Sequence, residues 1–295
     1  MGDEMREAIR KFGETLALRD MSPKTQAGYV SDLHRFVRFY ELSYGRTPSP
    51  AEVMPLDVVD YKRALVREKK TPSTVNRALA AVRAFFEWAK ERGIVDSNPA
   101  RQVKGLESVA LAPKALSMHE LHALLREVRR RKKPRDIALV TLMAHTGLRV
   151  SEVSNLDTDD IKVEGRSAWV VVRSGKGSKY RECPLNSDVR QALSEYLEKR
   201  GTAPGPLFLS QKGGRLSSRA IESLVQGYSR RAGIGPISPH VLRHTFCKAL
   251  VDRGESLDRV AKIAGHEDLN TTKRYTTPTR EDLIGAVRRL ESMER

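Results

Sequence analysis

Between Asp160 and Pro184 the apolar pattern of this chain changes period, and that change narrows the folds open to it. Ile161-Lys162-Val163 runs into a Glu164-Gly165-Arg166 turn and then Ala168-Trp169-Val170-Val171-Val172. A glycine-rich Ser174-Gly175-Lys176-Gly177-Ser178 turn follows, and then Arg181-Glu182-Cys183-Pro184. Short apolar runs separated by turn residues predict three antiparallel strands. On both sides the apolar residues recur three and four apart, the spacing of helices that bury one face. The expected fold is therefore mainly α: an N-terminal helical bundle and a C-terminal α+β domain with one small three-stranded antiparallel sheet.

The first four helices are punctuated by proline and glycine. A helix ends near Asp20, and Ser22-Pro23 caps the next one, which carries Tyr29, Leu33, Phe36, Val37 and Tyr40 on one face. A loop from Gly45 to Pro50 precedes a third helix over Asp57–Lys69 with Val58, Tyr61 and Leu65 inward. Thr71-Pro72-Ser73 breaks the chain, and a fourth helix with Val75, Leu79, Val82 and Phe86 stops at Gly93. Four helices on short loops predict a bundle over residues 1–104. Its polar positions Lys24, Arg35, Arg77 and Arg83, with Thr74 and Asn76 near a helix N-terminus, are candidate phosphate contacts. Taken singly, each is more simply a solvated surface group. Residues 105–116, containing Gly105 and Pro113, lack a clean period and are expected to be a linker.

Charge says what such surfaces face. The 295 residues hold 53 Lys and Arg against 37 Asp and Glu, a net charge of +16. The excess is spread over both halves, as expected of folded surfaces facing a polyanion rather than of one basic tail. Cys183 and Cys247 are too few for a disulfide framework or a four-cysteine zinc site. No apolar run approaches the roughly 20 residues needed to span a bilayer, and the N-terminus lacks a signal-peptide core, so the expected location is cytoplasmic.

The chemistry-bearing residues lie in 117–295. Ser117-Met118-His119-Glu120 is a capping-box pattern. It opens a helix that ends in the run Arg129-Arg130-Arg131-Lys132-Lys133. A largely apolar helix from Asp136 to His145 closes at Thr146-Gly147, and Arg149 follows at once. A guanidinium held between core elements needs an anionic partner, either Glu152 or a substrate phosphate. Lys176 sits between two glycines at a hairpin tip, where solubility alone could explain it. Gly-Lys-Gly lacks the longer phosphate-loop pattern, which argues against an ATPase. Helices over 187–200 and 217–232 follow, the second basic through Arg215, Arg219, Arg230 and Arg231.

Ser238-Pro239 then caps a helix whose three- and four-residue spacings put His240, Arg243, His244 and Cys247 on one face. His240 and His244 superficially resemble a zinc pair. The glutamate of His-Glu-x-x-His is missing and a cation lies between them, so no metal is expected. Gly265 ends the next helix and His266 projects beyond it. Tyr275 lies nine residues further on, in a short helix that Asn270 caps and Pro278 stops. A terminal helix from Thr279 carries Leu283, Val287 and Leu290 as an apolar stripe that could dock on a neighbouring subunit.

With these residues assembled, the chain resembles the tyrosine recombinases of the lambda-integrase family, most nearly the compact Xer type. The resemblance rests on T-G-L-R-V-S-E, S-G-K-G-S-K-Y-R, S-P-H-V-L-R-H-T-F and A-G-H with a tyrosine nine residues on. It extends to S-P-K-T-Q-A-G-Y-V-S-D-L-H-R-F and S-T-V-N-R-A-L-A-A-V-R-A-F-F-E-W-A in the N-terminal half. It implies a SAM-like core-binding domain over 1–104 and a catalytic domain over 117–295 ending in an exchange helix. Arg149 and Arg243 would clamp the scissile phosphate, with Glu152 supporting Arg149. Lys176 would protonate the leaving 5′ oxygen, His240 would assist proton transfer, His266 would hydrogen-bond the phosphate and Tyr275 would be the nucleophile.

The resemblance further implies double-stranded DNA with an inverted-repeat site, a homotetramer on paired sites, and the possibility of a second recombinase or accessory protein. No metal, ATP or other cofactor is expected. Chromosome or plasmid dimer resolution is the job it suggests. An integrase or resolvase of a mobile element, a type IB topoisomerase-like enzyme and a catalytically silent DNA-binding regulator are the alternatives. Ala264 stands where the family often has leucine, a difference expected to alter packing more than chemistry.

Overall fold

The computed structural model describes residues 4–18, 21, 23–107, 114–164, 167–173, 180–265, 272, 276 and 284, the side chains of Lys24 and Glu164 excepted. The chain divides into two compact units, residues 1–109 and 110–295.

The first unit is helical: α1 (Glu4–Leu18), α2 (Pro23–Tyr44), α3 (Pro55–Arg67) and α4 (Pro72–Glu91). Three of the four begin with proline, whose missing N–H costs nothing in the first turn. Thr71, expected only to break the chain, is the N-cap of α4 and its side chain accepts from the Thr74 backbone N–H. The core is aromatic. Phe12 meets Phe85 edge-on with centroids 5.6 Å apart, and Phe36 meets Tyr61 at 5.2 Å. The buried Trp88 indole donates to Thr15 Oγ1 at 3.1 Å.

This core reaches further along the chain than the sequence pattern indicates. Val103 is buried in it and Leu106 packs against it. Asn76 clasps Leu106 by its backbone, Nδ2 donating to Leu106 O at 2.9 Å and Oδ1 accepting from Leu106 N at 2.7 Å. Gly105 is required beside this clasp, because a Cβ there would stand 2.6 Å from Asn76 Oδ1. Residues 105 and 106, expected to begin a linker, are thus tied to the first unit. Asn76→Ala is expected to cost roughly 1–3 kcal/mol by stranding both backbone groups, measurable as a lower urea midpoint at unchanged slope.

The second unit comprises α5 (Met118–Arg130), α6 (Pro134–Thr146), α7 (Val150–Asn155), β1 (Ile161–Glu164), β2 (Ser167–Arg173), β3 (Tyr180–Pro184), α8 (Ser187–Arg200), α9 (Ser218–Arg231), α10 (Pro239–Asp252) and α11 (Leu257–Ala264). The sheet is antiparallel in the order β1-β2-β3, with Val170 opposite both Ile161 and Cys183. Its buried face carries Ala168, Val170, Val172 and Cys183, joining one core with α5, α6, α8 and α9. The capping box at Ser117 and Glu120 forms, with Ser117 N donating to Glu120 Oε2 at 2.8 Å.

Helix α6 is the axis of this unit. Positions 138–144 are all buried, so it is apolar on every side rather than along one stripe. It packs against α5, α8 and α10, and its last turn delivers the chain to the candidate site. The basic run at the end of α5 has a local use as well: Arg130 and Arg131 both donate to the buried Glu127 carboxylate, at 2.8 and 3.1 Å.

Candidate active site

Gly147 ends α6 in the left-handed region, φ 63°, and a Cβ there would lie 2.5 Å from the Phe246 ring. Conformation and space both demand glycine at this corner. Leu148 is then buried, and Arg149 becomes the N-cap of α7. Two residues after a buried helix end, Arg149 has little freedom except in its own side chain.

Arg243 comes from α10 and is only 4% exposed. Its Nη1 donates to Gly147 O at 2.6 Å and to Ala264 O at 2.7 Å, bridging the end of α6 to the end of α11. The shared face expected for α10 is divided by depth. Arg243 and Cys247 lie inside, while His240, in the first turn, is exposed. The His240 and His244 rings are 6.4 Å apart, and among the described residues no three His, Cys, Asp or Glu side chains group as metal ligands. Cys183 is no nucleophile, since burial pushes its thiol up to about 12.

Helix α11 ends at Gly265, φ 72°. Its last carbonyls have no partner within the helix. Three arginines take three of them in succession: Arg181 Nε donates to Ile263 O at 3.2 Å, Arg243 Nη1 to Ala264 O, and Arg149 Nη2 to Gly265 O at 2.8 Å. The partial negative charge of a helix C-terminus favours cations there.

One carboxylate completes the arrangement. Glu152 Oε1 accepts from Arg149 Nη1 and Arg181 Nη1, both at 2.9 Å. Its Oε2 accepts from the Arg149 backbone N–H at 2.7 Å and from Arg181 Nη2 at 2.8 Å. Both candidate partners of Glu152 are therefore arginines, and only Arg149 was expected. Arg181 comes from β3, 29 positions away, and no local pattern joins the two. Arg149 remains 39% exposed against 18% for Arg181, so of this pair Arg149 faces solvent.

Burial acts to raise the Glu152 carboxyl, but the Arg181 and Arg149 hydrogen bonds and charges outweigh it and hold it below the usual carboxylate value. A lowered folded-state pKa means stability that is fully present above the unfolded value of about 4.3 and lost as pH falls through the folded one. Glu152→Gln is expected to lower stability by about 2 kcal/mol at pH 7, with the gap to wild type closing below about pH 4. Urea unfolding across pH 3–7 measures this.

The candidate DNA contacts of the first unit divide. Arg77 donates to Asp32 through both Nε and Nη2, at 2.9 and 3.1 Å, and Arg35 adds a longer contact at 3.4 Å. Asp32 is 1% exposed, so both arginines serve a buried carboxylate while keeping partly open side chains. Thr74 closes the α4 cap with Thr71, the hydroxyls 3.0 Å apart. Asn76 and Arg83 are turned onto the chain after the bundle, Arg83 Nη2 donating to Val103 O at 2.8 Å. Arg219 is exposed in the first turn of α9. Arg215 instead ends α7, donating to Ser154 O and Leu156 O at 3.0 Å. Lys176, His266, Tyr275, the Lys24 side chain, the Ser22 cap and the terminal helix expected from Thr279 lie outside the described residues.

Two family models match the chain: the phage integrase family over residues 114–282 and the phage integrase N-terminal SAM-like domain over residues 9–96. Tyrosine recombinase XerC of Syntrophus aciditrophicus is 31% identical over 92% of this chain and 93% of that protein. Tyrosine recombinase XerD of Ralstonia nicotianae is 33% identical over 94% and 91%. The fold matches the XerH site-specific recombinase bound to palindromic difH substrate in a post-cleavage complex, with TM-score 0.78 and 20% identity over 97% of this chain and 84% of that one. The chain belongs to the phage integrase family. Within it, this is an Xer-like site-specific tyrosine recombinase, an enzyme that cleaves and rejoins DNA.

Proposed function

We propose that Arg149 and Arg243, two of the arginines gathered at the end of α11, are the phosphate clamp of this recombinase, and that Tyr275 is its nucleophile. The observation that carries the proposal is the convergence of Arg149, Arg181 and Arg243 on three successive carbonyls with a single carboxylate among them. Such an arrangement keeps positive charge fixed in place before any substrate arrives, and preorganised charge is what stabilises an anionic transition state. Arg149 faces solvent to grip the scissile phosphate, and Arg243 fixes charge from beneath.

In the proposed reaction the Tyr275 phenolic oxygen attacks phosphorus, forming a 3′-phosphotyrosine bond as the bond to the 5′ oxygen breaks. His240 assists the phenol in losing its proton, Lys176 protonates the departing 5′ oxygen and His266 hydrogen-bonds the phosphate. Attack by a 5′ hydroxyl reverses the step and rejoins the strand. The phosphodiester's energy is kept in the tyrosine ester, so neither ATP nor a metal is required. A phenol of pKa about 10 is a poor nucleophile at neutral pH, which is why fixed cations are needed beside it.

The helical first domain is the core-binding, DNA-binding domain, joined by a linker that begins after Leu106 to the catalytic domain, 117–295. Four copies assemble in the cytoplasm on paired inverted-repeat sites, the terminal helix of each docking on a neighbour. Chromosome or plasmid dimer resolution is the role proposed for it. The test is to incubate the protein with sheared DNA of its own host in EDTA, without ATP, and quench in detergent. Covalent adducts through a 3′ phosphate at one inverted-repeat sequence are the expected result. Adducts that require added metal, or none from an otherwise binding-competent protein, would overturn the reading.

A further inference from the structure

Arg181 is the arginine of this cluster that the proposed chemistry does not use. Both its terminal nitrogens bind Glu152, its Nε binds Ile263 O, and it is 18% exposed. The chain makes room for it: a Cβ on Gly265 would lie 2.6 Å from the Arg181 guanidinium carbon and 2.7 Å from Nη1. So Gly265 both ends α11 and lets this side chain lie flat across the helix end.

Arg181 is the second residue of β3, which pairs with β2, and Lys176 lies in the sequence between these two strands. Its partners are Glu152 in α7, which holds Arg149, and the last turn of α11, after which the chain continues to His266. We propose that Arg181 is a positioning residue: one planar fork that sets strand β3, the Arg149–Glu152 pair and the end of α11 in a single register, so that groups from three distant segments act on one phosphate. It touches no substrate. The geometry needs a fork, because four donors fill Glu152 in pairs and a lysine ammonium cannot reproduce two parallel bonds plus a third from Nε.

The inference rests on the phosphate-clamp reading, and its test separates the two. Arg181→Met, Arg181→Lys, Glu152→Gln and the Arg181→Met/Glu152→Gln double variant are compared with wild type on sheared host DNA, reading covalent adduct rate, DNA affinity and melting temperature. Arg181→Met is expected to slow adduct formation about 100-fold, the cost of misplacing reacting groups by about an ångström. DNA affinity should change less than about threefold, since the residue makes no phosphate contact in this account. Arg181→Lys should rescue little, and the double variant should be scarcely slower than the slower single one, because coupled residues are not additive.

A Met variant as fast as wild type, full rescue by lysine, or additive losses would overturn it. If wild type itself forms no adduct, the clamp reading fails, and amide hydrogen exchange on the free protein still decides the positioning role. Arg181→Met should then lower protection in β3 and in α11 together, whereas unchanged protection in α11 would contradict it.

Discussion

Arg243→Ala is expected to lose both stability and strand cleavage, and Arg243→Lys to separate the two. Alanine strands the carbonyls of Gly147 and Ala264, which the guanidinium bridges at 2.6 and 2.7 Å, and opens a cavity at a position only 4% exposed. Hydrogen bonds to a charged group contribute about 1.5–3 kcal/mol each, so a loss of about 3–5 kcal/mol is expected. Cleavage should fall roughly 1,000-fold or more, because a preorganised charge is removed from the reacting phosphate. Lysine can reach one carbonyl and keeps the charge, so it should recover much of the stability. It cannot reproduce the planar fork, so most of the cleavage defect should remain. Urea unfolding and adduct formation on the same samples measure both effects. A lysine variant that restored cleavage along with stability would contradict the need for a guanidinium at this position.

The pattern of what the sequence disclosed follows from the range of the interactions involved. Ser117 with Glu120, Thr146-Gly147 and Gly265 are local signals, because caps and stops act over three or four residues. The three strands were legible for the same reason, since alternation needs only its own run of residues. Helix α7 was not, being six residues long and too short to show a period. Arg181 was readable as a strand residue and no more, because its partners Glu152 and Ile263 lie 29 and 82 positions away. Asn76 and Arg83 have partners that the sequence did not show. As polar residues on a helix they looked free for phosphates, but the chain after the bundle folds back and engages them. Arg77 and Arg35 share the same lesson through Asp32, an acid at helical spacing whose burial only the packed bundle reveals.

Tyr275→Phe has the largest expected effect of any single substitution. The phenol oxygen is the atom that bonds to phosphorus in the proposed reaction, and no other group in the proposed set can form that ester. Removing one oxygen from a side chain that keeps its ring is expected to leave DNA binding and folding nearly unchanged. The measurement is therefore chemical. Wild-type protein and Tyr275→Phe are incubated with sheared host DNA, quenched in detergent, digested with nuclease and protease, and the nucleotide-bearing peptide is identified by mass spectrometry. The account predicts a 3′-phosphate ester on Tyr275 in the wild type and no adduct in the variant, with equal DNA binding by both. An adduct on another residue, or one that persists in Tyr275→Phe, would contradict it.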